Sequence, residues 1–320
     1  MTSKVGRVVR VDAKVCHVEV DGDVILAAPA GLLFETRTER KNPVAVGDLV
    51  EVSTEGDPVR LERVLERKNY LGRTASSHDP REQVLVANVD QLLIIGSLKS
   101  PGFSSNRTDR ILAACIWHNI PVTLVLNKID LFSEEDVAPI RKTYKDIPIP
   151  VLETSAKDGR GVEQFAAILK DRVSVLYGPS GAGKSSLLNA VQPGLNIREG
   201  KISKYWKQGK HTTSFSALHA LDQGGWVVDT PGIRVFRLHG ACREDLRDMY
   251  PDFAPFQKDC HFPNCSHDHE PDCAVAEAVE NGKLSPTRYA SYVEVLDELD
   301  ARHAYDPDQD ADLGEMPPDE

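Results

Sequence analysis

Gly178-Pro179-Ser180-Gly181-Ala182-Gly183-Lys184-Ser185, followed by Ser186, is the stretch that decides the fold. It fits G-x-x-x-x-G-K-[ST] and has the context that pattern needs. An apolar run, Val173–Tyr177, precedes it and reads as a strand; Ser186–Ala190 opens a helix after it. Glycines let successive backbone N–H groups converge on phosphate oxygens, and the helix N-terminus adds a favourable dipole. Lys184 is placed to reach the β- and γ-phosphates, and the Ser185 hydroxyl to hold Mg²⁺. The loop alone does not separate ATP from GTP, or a kinase from a hydrolase.

Working outward, Asn127-Lys128-Ile129-Asp130 directly follows the apolar run Pro121–Leu126. That position is the carboxyl end of a parallel strand, where such sheets bind ligands. A carboxylate there can accept from both the N1–H and the exocyclic amine of guanine, and adenine offers no matching pair. Thr154-Ser155-Ala156-Lys157 follows a second strand, Ile149–Glu153, and its small side chains suit close approach to a base edge. Asp229-Thr-Pro-Gly232 closes a third strand, Gly225–Asp229. An Asp at a strand end can bind Mg²⁺ through water, and Gly232 offers a free N–H to the γ-phosphate.

Together the four segments resemble the GTPase signature G-x-x-x-x-G-K-S, D-x-x-G, N-K-x-D and S-A-K. The order differs from that of ordinary small GTPases, because residues 127–130 and 155–157 precede the loop at 178–185 and the 229–232 segment. If the ends of a domain lie close together, permutation preserves the site. The chain therefore resembles the circularly permuted GTPases, and most closely the bacterial ribosome small-subunit-dependent GTPase family (RsgA, also called YjeQ). The likeness covers nearly the whole chain. It implies GTP/GDP and Mg²⁺ as ligands, hydrolysis of GTP late in assembly of the 30S ribosomal subunit, contact with 16S rRNA, and release after hydrolysis.

Between the loop and Asp229 lies Asn196–Ser214, containing Gly209-Lys210-His211-Thr212-Thr213. A threonine here completes the Mg²⁺ shell and senses the γ-phosphate. The resemblance points to the Thr212–Thr213 pair without choosing between them. Ile233 follows Gly232 where Ras-like enzymes place a water-orienting glutamine. Isoleucine cannot hydrogen-bond water, so intrinsic hydrolysis is expected to be slow, with His211 or a ribosomal element ordering the water. The segment is also basic, with Arg198, Lys201, Lys204, Lys207 and Lys210 around Tyr205 and Trp206. That combination suits RNA phosphates and bases.

Downstream, Cys260-x₄-Cys265-x-His267-x₅-Cys273 offers three thiolates and an imidazole within a loop-rich segment that carries Pro251, Pro255, Pro263 and Pro271. It matches a closed Cys₃His site for one structural Zn²⁺, which would replace a core that this segment cannot build. His261 and His269 are alternative fourth ligands. Ser285-Pro286 is an N-cap with proline at the first helical position, opening a helix through Tyr292, Val295, Leu296 and Leu299.

Upstream, residues 1–70 contain five short Val-rich segments separated by turns, and predict a small OB-type barrel, with a β-sandwich as the alternative. Residues 71–87, with Gly72, Ser76, Ser77, Asp79 and Pro80, read as a linker. Arg60, Arg63, Arg67, Lys68, Arg73 and Arg81 form a basic stretch that either contacts RNA or carries surface ion pairs.

The composition of the 320 residues bounds these readings. Hydrophobic residues are 41% and charged residues 27%, which excludes collagen-like and wholly disordered chains. No apolar run approaches the ~20 residues of a membrane helix, and Met1–Arg7 lacks an apolar core. A cytoplasmic protein with no membrane partner, monomeric, is expected. The net charge of −11 excludes a uniformly basic RNA binder. Residues 306–320 hold seven acids and no Lys or Arg, and read as a disordered tail.

The expected architecture is multi-domain α/β. Residues 1–72 form an OB-like RNA-binding barrel, and residues 73–240 a circularly permuted P-loop GTPase domain. Residues 241–305 form a helical zinc-knuckle domain, and 306–320 the acidic tail. Two other classes remain open on the residues alone. One is a P-loop kinase or NTPase with a small-molecule substrate. The other is a non-catalytic GTP-sensing RNA-binding protein.

Overall fold

The computed structural model describes residues 3–12, 15–31, 41–53, 56, 58–76, 79–195, 217–229, 238 and 240–303. These divide into two compact units. One holds the chain up to Ser104 and from Ala114 to His239; the other holds Ser105–Ala113 and the chain from Gly240 onward.

The first unit begins with the barrel. Its strands are β1 (Ser3–Val11), β2 (Cys16–Val20), β3 (Asp23–Pro29), β4 (Leu49–Ser53) and β5 (Arg60–Val64). They pair in the order β1-β2-β3-β5-β4, and β4 returns to β1, so the sheet closes. All pairs are antiparallel except β3–β5. Alternation drives this arrangement. Cys16, Val18 and Val20 of β2, and Val50 and Val52 of β4, point inward with Val8 and Leu61. The barrel expected from the sequence is the one formed, and the sandwich is not.

The segment read as a linker is instead a hairpin, β6 (Tyr70–Ser76) with β7 (Asp79–Ala87), antiparallel from Tyr70↔Ala87 to Ser76↔Asp79. Its Gly, Ser and Pro residues mimic linker composition, but its pairing is tertiary. Asn42 donates from Nδ2 to the Val84 carbonyl (2.9 Å) and accepts from the Val84 N–H (3.0 Å). The Ala87 N–H donates to Val46 O at 2.8 Å. Leu71, Val84 and Val86 are buried.

An α/β layer follows. It comprises β8 (Gln91–Gly96), α1 (Ser105–Trp117), β9 (Val122–Asn127), α2 (Glu134–Tyr144), β10 (Val151–Thr154), α3 (Val162–Leu169), β11 (Val173–Tyr177), α4 (Lys184–Val191), β12 (Ala217–Ala220) and β13 (Trp226–Asp229). The strand order is β10-β9-β8-β11-β13-β12, parallel except for β12. Strands β8, β9 and β11 are buried along their whole length, as a sheet covered on both faces requires. Chain order reverses between β8 and β11, which makes the crevice at their carboxyl ends the topological switch point. β12, which the sequence reading did not anticipate, joins this sheet to the barrel through the pair Arg10↔Ala217. Ser133 caps α2 as expected, its side chain accepting from Asp136 N–H while Asp136 accepts from Ser133 N–H.

The second unit contains short helices α5 (Arg243–Leu246), α6 (Ala254–Gln257) and α7 (Ala274–Glu280), and the long α8 (Pro286–His303). The four α8 positions read from sequence, Tyr292, Val295, Leu296 and Leu299, are buried, and Arg288 and Ser291 join them on the inward face. At its centre Arg288, 1% exposed, donates to Asp109 (2.8 Å) and twice to Asp252 (2.6 and 3.1 Å). Its guanidinium also lies 4.6 Å from the centroid of the Tyr250 ring. Asp109 belongs to the first turns of α1, so this buried cluster fixes Ser105–Ala113 within the unit. Glu294 and Glu298 add hydrogen bonds to Asn106 and Arg110.

Candidate functional site

The loop Gly178–Gly183 leaves β11 at the switch point and enters α4 at Lys184. Glycine is required where the backbone is crowded. A Cβ on Gly178 would stand 2.2 Å from the Ile95 carbonyl oxygen of β8. Gly183 has φ of 95°, and a Cβ there would stand 2.2 Å from Asn127 Nδ2. Ala182 is buried, whereas Ser180, Gly181 and Ser186 are exposed, leaving one side of the loop open. The Lys184 ammonium folds back onto the loop, donating to Gly178 O (2.8 Å) and Pro179 O (3.1 Å). Ser185 Oγ is buried and has no hydrogen-bond partner among the described residues. A buried hydroxyl without a partner costs free energy. A cation ligated by that oxygen would remove the cost, so the position fits Mg²⁺.

The segments read from the sequence as guanine-contacting come to this same edge. Asn127 ends β9 and donates from Nδ2 to Ala182 O at 2.8 Å, tying its segment to the phosphate loop. Thr154, at the end of β10, donates to Asn127 Oδ1 at 3.2 Å. Lys128 has φ of 66°, and its ammonium donates to Ser100 O at 2.7 Å. Ser155 Oγ donates to Asp130 Oδ1 at 2.8 Å, which orients the carboxylate. The Ser155 hydroxyl in turn accepts from the Lys157 and Asp158 N–H groups, both at 3.3 Å. Lys157 Nζ lies 3.7 Å from Asp130 Oδ2. Ala156 packs against the core beneath. Residues 127–130, 155–157 and 178–186 thus form one continuous site, although they are scattered along the chain.

Asp229 closes β13 in register with Leu176 of β11, one strand over from the loop. His211, Thr212, Thr213 and Gly232 lie outside the described residues, as do Ile233, the basic run 198–210 and the acidic tail. Two contributors, neighbours in the chain, escaped the sequence reading. Ser100 and Pro101 carry no motif; Pro101 Cδ would lie 3.4 Å from a Cβ on Gly181.

In the second unit Cys260, Cys265, His267 and Cys273 converge, with their ligand atoms all within 4.8 Å of one another. His267 Nδ1 stands 3.6 Å from Cys260 Sγ and 3.5 Å from Cys273 Sγ. Zinc–ligand bonds of about 2.3 Å to sulfur and about 2.05 Å to nitrogen give a tetrahedral N–S edge of about 3.6 Å. The cluster therefore fits zinc. Of the three candidate histidines it takes His267, while His261 and His269 are exposed. Burial, with Arg247 nearby, lowers His267 to about 4, which keeps the imidazole in the neutral ligand form. The turn is fixed from outside: Tyr289 donates to His267 O and Tyr292 to Ser266 O, both at 2.7 Å. Burial acts to raise Glu270, but hydrogen bonds from Ser266 and Asp268 outweigh it and hold that carboxyl at about 2.

The basic stretch near the barrel is largely paired. Arg67 makes a bidentate contact with Asp48 (2.6 and 2.8 Å), their side chains 8% and 0% exposed. Arg63 pairs with Glu51 and Lys68 with Asp90. Of the two readings of this stretch, ion pairing describes these three residues.

Residues 64–239 match the family model for the RsgA GTPase. A relative from Chlorobaculum parvum, a small ribosomal subunit biogenesis GTPase RsgA, is 41% identical over 83% of this chain and 88% of that protein. The chain belongs to the RsgA GTPase family. Another RsgA relative, from Alkaliphilus metalliredigens, is 36% identical over 94% of this chain and 99% of its own length. The structure of YjeQ from Thermotoga maritima superposes with a TM-score of 0.75 at 34% identity, covering 93% of this chain and 99% of that one. YloQ, described as a circularly permuted GTPase, gives 0.70 at 29% identity, covering 94% and 96%. RsgA-family proteins are GTPases, and the permuted order read from the sequence is that of this RsgA-family fold. No described helix is long and apolar enough to cross a membrane.

Proposed function

We propose that this RsgA-family chain hydrolyses GTP to GDP and phosphate during maturation of the small (30S) ribosomal subunit, bound to 16S rRNA. It acts as a cytoplasmic monomer and leaves after hydrolysis. The observation that carries the reading is the tie between Asn127 and Ala182, which joins the guanine-reading edge to the phosphate loop. Asp130 would accept from the base, with Ser155 Oγ holding its carboxylate in place. Backbone N–H groups of residues 178–186 would surround the phosphates. Lys184 would exchange its loop carbonyls for phosphate oxygens.

Ser185, Asp229 and one of Thr212 or Thr213 would hold Mg²⁺, which supplies charge neutralisation at the β- and γ-phosphates. Gly232 would offer its N–H to the γ-phosphate. With Ile233 unable to orient water, His211 or a ribosomal group must do so. Cys260, Cys265, His267 and Cys273 would hold one structural Zn²⁺.

The test is single-turnover hydrolysis with and without 30S subunits, together with co-sedimentation in GDP and in a non-hydrolysable GTP analogue. A rate increase specific to 30S, with retention favoured by the analogue, is expected. Turnover of a small-molecule acceptor without ribosomes would instead mark a kinase, and binding without hydrolysis a GTP sensor. Normal 30S-stimulated hydrolysis by His211→Ala would remove His211 from the mechanism.

A further inference from the structure

Barrel strand β1 meets the α/β sheet at two points three residues apart. At Arg10 its backbone pairs with Ala217, the first residue of β12, and Ala217 is itself the register partner of Asp229. At Arg7 the guanidinium carbon stands 5.1 Å from the centroid of the Trp226 ring, at the first residue of β13. Arg7 also donates to Gly47 O of the barrel at 3.5 Å. Trp226 and Asp229 are likewise three residues apart, about 10 Å at strand rise. β1 therefore meets the β12–β13 hairpin by its backbone at the Asp229 end and by the Arg7 side chain at the Trp226 end.

We propose that Arg7 of the barrel is a positioning residue for the strand end at Asp229, acting through Trp226 and the β12–β13 hairpin. The inference rests on the reading of Asp229 as a Mg²⁺-site residue. Besides its hydrogen bond to Gly47 O and the nearby carboxylates of Asp90 and Glu19, the ring of Trp226 is the contact that links Arg7 to the α/β sheet. Its guanidinium lies over the ring at the start of β13, one short strand away from the site. Four residues of paired backbone give Asp229 little freedom independent of Trp226, since β13 is bonded on one side to β11 and on the other to β12. A load taken up by the barrel is thus delivered to the strand that ends in Asp229.

The test uses the full-length chain and reads the Mg²⁺ concentration giving half-maximal single-turnover GTP hydrolysis. Arg7→Gln keeps a polar, though shorter, side chain and removes the cation. It is expected to raise that concentration roughly three- to tenfold, in line with a partly desolvated cation–π contact. GDP affinity in the absence of Mg²⁺ stays within twofold. Arg7→Lys is expected to recover most of the shift. Trp226→Leu should produce the same shift, and Arg7→Gln combined with Trp226→Leu no more than either alone. Should Trp226→Leu not fold, Trp226→Phe replaces it with a smaller shift in the same direction. Lys4→Gln, on the same strand but paired with exposed Asp21, is the unaffected control.

An unchanged Mg²⁺ dependence in Arg7→Gln, or additive effects of the two changes, overturns the proposal. So does a loss of 30S co-sedimentation by Arg7→Gln that matches its loss of hydrolysis, since Arg7 would then be a direct contact. Asp229→Asn separates the two levels. If it leaves the Mg²⁺ dependence unchanged, the reading of Asp229 fails; if it shifts while Arg7→Gln does not, only the coupling fails.

Discussion

Replacing Arg288 by methionine is the most demanding test of how the C-terminal unit is held together. The change keeps side-chain volume roughly constant and removes only the charge and its donors. Three hydrogen bonds to Asp109 and Asp252 disappear, together with the contact to the Tyr250 ring. The remaining carboxylates are 0% and 4% exposed and lose the cation that neutralises them. Charge-assisted hydrogen bonds contribute about 1.5–3 kcal/mol each, but bonds that share one side chain do not add. Breaking a buried ion pair from one side costs about 3–5 kcal/mol, and that is the expected loss. With a urea m-value of about 2 kcal/mol/M, the unfolding midpoint should fall by about 1.5–2.5 M. Zinc release to a chromogenic chelator during urea titration reports this unit separately from the α/β unit. The combined variant Arg288→Met, Asp109→Leu, Asp252→Leu should recover most of the loss, because an apolar replacement leaves no charge uncompensated. A single-variant cost below about 1 kcal/mol, or a triple variant no better than the single, would refute the reasoning.

Three further outcomes are expected. Asp130→Asn should weaken GDP binding by about 10²–10⁴-fold, the value of two charge-assisted hydrogen bonds, and gain xanthosine nucleotide; fluorescent-nucleotide titration reads both, and retained guanine preference would sink the assignment. Gly183→Ala sets a methyl 2.2 Å from Asn127 Nδ2 at a left-handed φ, so nucleotide affinity should drop by about 30- to 150-fold while the barrel's stability is untouched. Cys273→Ser should lower bound zinc from one per chain to near none by elemental analysis, with loss of helical circular dichroism from α7 and α8, and a strong chelator should do the same to the unmodified chain.

The parts of this molecule that were legible in advance are those whose signal is local. The phosphate loop, Asn127–Asp130 and the Cys/His spacing each carry their chemistry within a few residues. The Ser133 and Ser285-Pro286 caps announce α2 and α8 in the same way. What was missed depends on distant partners. The β6–β7 hairpin looks like a linker because Gly72, Ser76 and Pro80 are turn residues, and its outside partners, Lys41, Asn42 and Val46 among them, lie in a separate segment. β12 has only four residues, and beyond its hairpin partner β13 it pairs with β1, about 200 residues away in the chain. Arg288 lies 179 residues from Asp109, so no pattern of periodicity or spacing could have joined them. The role of Ser100 is carried by a carbonyl oxygen, which every residue possesses.

The position of β8 beside β11 also bears on how the chain is made. β8 is buried along its whole length, yet the strand that covers one of its edges begins about 80 residues later. At synthesis rates of about 5–20 residues per second, that edge waits roughly 4–16 s for its partner. In that interval β8–β10 can form the guanine-reading half of the sheet, but there is no loop to hold phosphate. A nascent chain is thus barred from trapping nucleotide early, and it carries an open apolar strand edge of the kind that invites aggregation or a chaperone. The permutation that leaves the finished pocket intact reverses the birth order of its two halves.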